Sequence, residues 1–569
     1  VKIIGIHDGH NASVSYLEDG FLKFAIQEER LNLIKNYWGF PYKSLDFLLS
    51  KFGLNHETID AIVFSSKNMP KGMDRDGLLR AHSDDSSIYR ILRNRMAENS
   101  MYRLLTGHRL RNMKFLNLNM EKRRSNLNRY GISSDKVHFV DHHLSHASAV
   151  YYGLRHDDAP CLILTLDGGG DALCATVSIG KGGEITRISE TTDGHSVGNI
   201  YSRITFLMGF IPWEHEYKLM GMAPYASSER SDRVRKMFAS YLDLDAEDPM
   251  RFKRKIPEAT RYVTKRLEKD IRGIRFDDIC GGLQLFTEEL IVRWVKECIS
   301  RTGIRRVFCS GGVFMNVKAN KRVFELPEVE TISVFPSCGD ETNSIGAAFF
   351  WARQNGDAVA RLSHFYTGHH FSDDSVREEI EKSNLPYRYF DDINEKVAEL
   401  LASREIVARC TGPMEFGARA LGNRSILADP SYYDCVRVIN LMVKKRDFWM
   451  PFAPVIKEER LHEYVFNPKN QESPFMMLTF DTTEKRVEFM AAVHNADLTA
   501  RAQILSRGSN PQFYDLLTKY EAKTGSGVLL NNSFNLHGYP IVLGPREAIN
   551  VFINSGLKYL VLENYLLWK

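Results

Sequence analysis

The chain lacks the cysteine spacing of a zinc module. Its eight cysteines are scattered with no CxxC pair among them, which argues against a zinc finger and reads instead as buried thiols of a reducing cytosol. It has no apolar run long enough to span a membrane, and Val1-Lys2-Ile3-Ile4-Gly5 reads as a strand rather than a secretion signal. Charge of one sign is also scarce. A formal net charge of +4 over 569 residues gives no support for a nucleic-acid partner. Two phosphate-binding signatures are missing as well, the P-loop Lys-Ser/Thr and the dinucleotide GxGxxG. No simple internal repeat shows in the sequence, although a two-lobed fold can hide one. Hydrophobic residues at 43% and charged residues at 26% are ordinary globular values, and the length calls for two or three domains.

Against these absences stand three segments rich in aspartate, histidine and glycine, each where a strand should end. They are Asp141-His142-His143-Leu144-Ser145-His146, Asp167-Gly168-Gly169-Gly170-Asp171 and Cys338-Gly339-Asp340-Glu341. His142 and His146 are four apart, so on a helix their rings share a face. With Asp167 and Asp340 they make a mixed N/O donor set suited to iron, zinc, manganese or magnesium. The plain alternative for His146 is a buried, hydrogen-bonded ring, and His143 points off the shared face. Gly168, Gly169, Gly170, Gly311, Gly312 and Gly339 allow backbone close to an anion, and Asn316 could meet ribose or phosphate. With no P-loop, the ATP site these residues imply is of the actin-like kind.

Strand, glycine turn and helix alternate through residues 1–360, as in an α/β core. Strands are expected at Ile3–Ile6, Ile59–Phe64, Leu162–Leu166, Arg306–Cys309 and Thr331–Phe335, and helices at Phe286–Cys298 and Ser344–Arg353. Residues 67–130 read as an inserted run of helices and loops. Its Lys122-Arg123-Arg124 cluster is expected to be a solvated helix face. A boundary near 355–370 leaves a second α/β domain, 361–569. That part carries a polar island with Arg419, Asn423 and Arg424, then Lys444, Lys445 and Arg446, then Asn531 and Asn532 after a strand. Arginine forks match phosphate; surface salt bridges are the plain alternative. His10, beside Asp8, titrates near neutrality and is a candidate base, with a capping role as its alternative. Lys35 is a candidate cation for phosphate, or a solvent-facing lysine.

The order and length of these motifs resemble the O-carbamoyltransferases of nodulation and antibiotic tailoring, over nearly the whole chain. The marks are His10-Asn11-Ala12-Ser13, Glu28-Glu29-Arg30, His142-His143-Leu144-Ser145-His146-Ala147, Lys218-Leu219-Met220-Gly221-Met222-Ala223, Ser310-Gly311-Gly312-Val313-Phe314-Met315-Asn316, Gly417 through Ser425, Pro451-Phe452-Ala453-Pro454 and Asn531-Asn532-Ser533-Phe534-Asn535. The chain departs from that pattern at Met450, where arginine is usual, at Asn532 in place of threonine, and at Tyr539 in place of an acid.

The resemblance implies an N-terminal actin-like ATPase domain (Kae1-like, 1–360) joined to a C-terminal YrdC-like α/β domain (361–569). It implies ATP, carbamoyl phosphate, a carbamoyl-adenylate intermediate and a small-molecule hydroxyl acceptor. The metal positions fall on His142, His146, Asp167 and Asp340, with Fe2+ the first expectation and Mg2+, Mn2+ or Zn2+ the alternatives. The catalytic positions fall on His10 and Lys35, and the carbamoyl phosphate contacts on Arg419, Asn423, Arg424, Arg446 and Asn532. A cytoplasmic homodimer, without membrane or nucleic-acid partners, completes the expectation. The rival readings are a tRNA threonylcarbamoylation-type or protein-carbamoylating enzyme, and an actin-like sugar kinase.

Overall fold

A computed structural model of the chain describes residues 1–68, 72–83 and 108–569, and of residues 108–117 the backbone alone. The chain packs as two units, Val1–Lys23 with Asn36–Arg361, and Phe24–Lys35 with Leu362–Lys569. Lys35, expected with the N-terminal domain, therefore packs with the second unit.

The first unit is built on two five-stranded sheets. One takes β1 (Lys2–His7), β2 (Ser13–Glu18), β3 (Phe21–Gln27), β4 (Ala61–Phe64) and β5 (Val137–Phe139) in the order β3-β2-β1-β4-β5. β1 is antiparallel to β2 and parallel to β4, which is parallel to β5. The other takes β6 (Cys161–Gly170), β7 (Leu173–Lys181), β8 (Glu184–Thr192), β11 (Arg306–Ser310) and β12 (Thr331–Val334), with the ribbon β9 (Leu242–Leu244) and β10 (Phe252–Arg254) standing apart between them in sequence. Its order, β8-β7-β6-β11-β12, and its directions repeat those of the first sheet. A repeat invisible in the residues is thus explicit in the topology, and a duplicated sheet of this order is the architecture of actin-type ATPases.

Two helices lie between the sheets, His142–Leu154 and Asn343–Gln354, packed on each other and on β1, β4, β6 and β11. Continuous apolar runs such as Cys161–Leu166, buried on both faces, are what a covered sheet requires. Glycine sets how close the layers come. A Cβ on Gly346 would meet the Ser145 carbonyl oxygen at 1.8 Å, and one on Gly5 the Ser344 oxygen at 1.9 Å. The long helix expected at Phe286–Cys298 runs further, Phe276–Thr302.

Of the expected insertion over 67–130, helices Arg75–Ser83 and His108–Leu127 are described, while 69–71 and 84–107 lie outside the described residues. One expectation there is corrected. Arg123 is not on a solvated face. It is fully buried, donates to both Asp8 carboxylate oxygens at 2.7 and 2.5 Å, and lies over the Phe64 and Phe139 rings. A buried guanidinium needs such a bidentate partner.

The second unit centres on an eight-stranded mixed sheet. In chain order its strands are β13 (Tyr387–Tyr389), β14 (Val407–Cys410), β15 (Arg424–Ala428), β16 (Ala453–Lys457), β19 (Gln503–Leu505), β20 (Val528–Ser533), β21 (Tyr559–Leu562) and β22 (Tyr565–Trp568). A two-stranded ribbon, β17 (Phe480–Asp481) with β18 (Thr499–Ala500), flanks it. Helices Ile393–Ala402 and Pro511–Thr524 cover one face through Val397, Leu401, Phe513, Leu516 and Leu517. All eight cysteines are buried and free. No helix among the described residues is long and apolar enough to cross a membrane.

Candidate metal centre and anion pocket

Each metal candidate sits at a strand end. His142 and His146 occupy the first two turns of the helix that follows β5; Asp141 caps that helix by accepting from the Leu144 N–H at 2.9 Å. Asp167 stands where the β6–β7 ladder breaks after Leu166. Asp340 opens the turn between β12 and the helix Asn343–Gln354. Crevices at the carboxyl ends of parallel strands are where open sheets gather ligands.

The four side chains offer ligand atoms that all lie within 4.8 Å of one another. His142 Nε2 is 3.4 Å from Asp167 Oδ2 and 3.5 Å from Asp340 Oδ1; His146 Nε2 is 3.2 and 3.4 Å from the same two atoms. Ligands about 2.1 Å from a tetrahedral ion stand about 3.4 Å apart, so the donor set fits a divalent cation in both chemistry and spacing. The surroundings fit too. His146 Nδ1 meets Ser310 Oγ at 3.2 Å, which turns Nε2 toward the carboxylates in the manner of metal-binding histidines. Asp167 Oδ1 accepts from the Gly168 N–H at 2.6 Å. Asp171 accepts from the backbone N–H groups of His142, Lys67 and Asn68. A Cβ on Gly170 would lie 2.2 Å from the His142 ring, so glycine is needed there.

Electrostatics give the same picture. Burial works against a proton on His142, yet Asp340 and Asp167 outweigh it and raise its pKa to about 9. His146 is raised in the same way by Asp167 and Asp340. Asp167 is held well below the usual carboxylate range, because the two imidazoles outweigh its burial. Such a cluster holds positive charge, either protons or a metal.

His7 belongs beside this cluster and was not singled out from the sequence. It ends β1, its Nε2 lies 3.8 Å from Asp340 Oδ2, and its ring is 6.4 Å from that of His142. Nδ1 meets Ser65 Oγ at 2.8 Å and Nε2 meets the His10 carbonyl at 3.0 Å. Burial pushes its pKa down to about 4, so it is neutral and donates to that carbonyl. The readable signal was its place at the end of β1. His10 itself sits edge-on to the rings of Trp38 and Trp213, at 6.0 and 5.7 Å. His143 meets Thr165 Oγ1 at 2.7 Å, off the shared face as expected.

The glycine candidates divide. Gly311 has φ 106, and a Cβ there would meet the Leu166 oxygen at 2.4 Å, so it permits β6 and β11 to meet. A Cβ on Gly312 would be 3.2 Å from Asp167 Oδ1, and one on Gly339 2.3 Å from the Glu341 carboxylate. Asn316 caps the helix Val317–Phe324 through the Ala319 N–H and exchanges two 2.9 Å hydrogen bonds with Gln284.

In the second unit the basic residues also divide. Arg424 is fully buried and donates to the carbonyls of Leu543, Thr411 and Gly412 at 2.9, 2.9 and 3.1 Å. Asn423 donates to Pro413 O and accepts from Asn510 and Arg409. Both tie the loop together. Glu415 does the same from inside, its Oε1 accepting from the N–H groups of Leu421, Asn423 and Arg424.

A separate set of cations gathers nearby. Burial, with the charges of Arg419 and Arg446, holds Arg501 well below the ordinary guanidinium range. Burial, with Arg446 and Lys35, does the same to Lys444. Lys444 donates to Ser533 O and Asn535 Oδ1 at 2.5 and 2.6 Å, neither of them charged. Like charges crowded in this way call for an anion. Lys444 is the buried lysine of its pair, and Lys445 is exposed. Asn532 Nδ2 is buried and meets no acceptor among the described residues. Tyr539 is exposed, with 55% of its surface open. Arg501 had no motif to mark it; Lys444 lay in plain view in a basic run.

A family model described as the carbamoyltransferase N-terminus matches residues 2–349, and one described as the carbamoyltransferase C-terminus matches 398–569. The uncharacterized protein sll1178 of Synechocystis sp. is 30% identical over 98% of this chain and 95% of its own length. Nodulation protein NolNO of Sinorhizobium fredii is 29% identical over 98% of this chain and 79% of its own. Among solved structures, component A of the Acidaminococcus fermentans (R)-2-hydroxyglutaryl-CoA dehydratase aligns over 62% of this chain and 97% of its own at 12% identity, with a TM-score of 0.33.

Proposed function

Because the chain belongs to the carbamoyltransferase family, we propose that it moves the carbamoyl group of carbamoyl phosphate to the hydroxyl of a small molecule, with ATP consumed and carbamoyl-adenylate as the carrier. The observation that carries this reading is the cation set of the second unit, buried Lys444 with the partly exposed Arg419, Arg446 and Arg501, which suits a phosphate dianion. The reading treats this unit as YrdC-like and the first as Kae1-like.

On this reading the second unit binds carbamoyl phosphate and hydrolyses it, one water giving carbamate and phosphate. The first unit joins carbamate to AMP, releasing pyrophosphate, and gives a mixed anhydride with a good leaving group. The strand-end glycines Gly168, Gly169, Gly170, Gly311 and Gly312 bring backbone N–H groups toward the phosphates. A divalent cation on His142, His146, Asp167 and Asp340, with Fe2+ the first candidate, would stabilise charge developing on phosphate. His10 stands to take the acceptor's proton as its oxygen attacks the carbamoyl carbon and AMP departs. Lys35 supplies a further positive charge beside Lys444.

The test is mass spectrometry of candidate acceptors incubated with ATP and carbamoyl phosphate. A mass gain of one carbamoyl group, together with AMP and pyrophosphate, is expected. A mass gain of one phosphoryl group with ADP would point to a kinase instead.

A further inference from the structure

In the second unit, the turn between β21 and β22 holds a residue that its backbone disfavours. Leu562 pairs with Tyr565, so Glu563 and Asn564 form a two-residue hairpin turn. Glu563 stands at φ 47. Such turns take glycine, asparagine or aspartate where φ is positive, since these side chains are absent or short enough to hydrogen-bond locally. Strained residues persist where their surroundings use them. The Glu563 side chain is used. It is turned inward, with 14% of its surface open, and Oε1 accepts the Gly412 N–H at 2.8 Å.

Gly412 opens the loop that carries Arg419. The Thr411 N–H donates to Asn423 O at 3.0 Å across the neck of that loop, and Gly412 O accepts from Arg424 at 3.1 Å. Further along, the Met414 and Phe416 N–H groups donate to the His369 and Phe365 carbonyls at 3.1 and 2.8 Å. Arg419 follows, and its charge acts on Arg501. The groups facing the Glu563 carboxylate are His370, whose Nε2 lies 3.6 Å from Oε1, and the guanidiniums of Arg424 on β15 and Arg409 on β14. Both arginines are buried and donate to carbonyl and amide oxygens. Glu563 therefore supplies a counter-charge to two buried arginines and an acceptor to the loop, and only the acceptor touches the loop's entry.

We propose that Glu563 is a positioning residue for the carbamoyl phosphate pocket: by holding the Gly412 N–H it fixes the neck of the loop, and so the place of Arg419 beside Arg501. This rests on the carbamoyl-transfer reading above.

Two substitutions in the whole protein test it. Glu563→Gln keeps an acceptor and the backbone strain but removes the charge. Glu563→Gly removes charge and acceptor together and relieves the strain. Calorimetric titration with inorganic phosphate, turnover with carbamoyl phosphate and ATP, and melting temperatures are measured on both. Glu563→Gln should bind phosphate as the unaltered protein does. Glu563→Gly should bind it about fivefold more weakly, the usual worth of one hydrogen bond. Its KM for carbamoyl phosphate should rise by the same factor while kcat and the KM for ATP hold, and it should melt no lower than Glu563→Gln. A side chain that only held the fold together would make binding and melting fall in step, so a Glu563→Gly protein below Glu563→Gln on both counts overturns the proposal. Equal phosphate affinity in the two variants overturns it as well. Absence of AMP and pyrophosphate from the unaltered protein with ATP and carbamoyl phosphate would instead sink the transfer reading, and the phosphate affinities would then decide the role of Glu563.

Discussion

With no cation on the four-donor cluster, the protein's stability should fall on the alkaline side. Burial opposes a proton on His142, but Asp340 and Asp167 outweigh it and lift the pKa to about 9, from an ordinary 6.5. Between these values the folded chain keeps a proton that the unfolded chain has released. The folded pKa lies above the unfolded one, so the stabilisation is complete below 6.5 and is lost as pH rises through about 9. The rise is worth about 3 kcal/mol for His142, and His146 shifts in the same direction. Asp167 has the opposite sense. Its folded pKa is depressed, so its contribution is present above 3.8 and lost as pH falls below that value. A bound cation replaces the imidazole proton, so loaded protein should keep its stability through the alkaline range. Urea midpoints of chelator-stripped and metal-loaded protein, from about pH 6 to about 9, measure the difference. Asp340→Asn removes the strongest upward influence on His142 and should flatten the stripped protein's slope. A stripped protein with one midpoint throughout, or the same slope in Asp340→Asn, would refute this placement of the protons.

Three further outcomes follow from particular contacts. Arg123→Met leaves the Asp8 carboxylate buried and unpaired and should cost about 3–5 kcal/mol; the double variant with Asp8→Leu should recover most of it in chemical denaturation, and no recovery would mean that packing over Phe64 and Phe139 is what matters. Arg501→Ala and Lys444→Ala should weaken carbamoyl phosphate binding by about 2–5 kcal/mol and leave ATP binding alone in calorimetric titration; equal loss for both ligands would remove them from that pocket. Arg424→Ala should lower the melting temperature, since it leaves several buried carbonyls without donors; a normal melt with lost carbamoyl phosphate binding would return Arg424 to the ligand set.

Much of the first unit was legible because its signals are local. Continuous apolar strands, strand-end glycines and an i, i+4 histidine pair all leave marks in adjacent residues, and these brought His142, His146, Asp167 and Asp340 together correctly. The failures share one cause, which is that burial of a charged side chain is decided by distant partners. Arg123 looked like a solvated helix residue because Asp8 lies 115 positions away. Arg424 and Asn423 remain proposed phosphate contacts, and they also meet carbonyls of their own loop, because arginine and asparagine in a glycine-bearing loop serve anions and carbonyls alike. Lys35 looked N-terminal because one segment, Phe24–Lys35, packs with the other unit. Arg501 carried no motif, and its crowding by Arg419 and Arg446 exists only in three dimensions.

The repeated strand order also explains the composition of the metal centre. In each half of the first unit the first strand ends at the crevice, and a helix entered from the fifth strand starts there. The regular pairing of the first strands runs to His7 and to Leu166, with Asp8 and Asp167 next at the crevice; the helices entered from the fifth strands begin with His142 in one half and just after Asp340 in the other. Asp8 and Asp167 are therefore counterparts, as are the His142/His146 pair and Asp340. One half supplies imidazoles and the other carboxylates. That division gives each imidazole a carboxylate from across the repeat, at 3.2 to 3.5 Å, while Asp8, the counterpart of Asp167, is taken by Arg123 and His7 lies 3.8 Å from Asp340. His7 does not join the set because its two ring nitrogens already meet Ser65 and the His10 carbonyl. His7 instead holds the loop that carries His10, through its hydrogen bond to the His10 carbonyl.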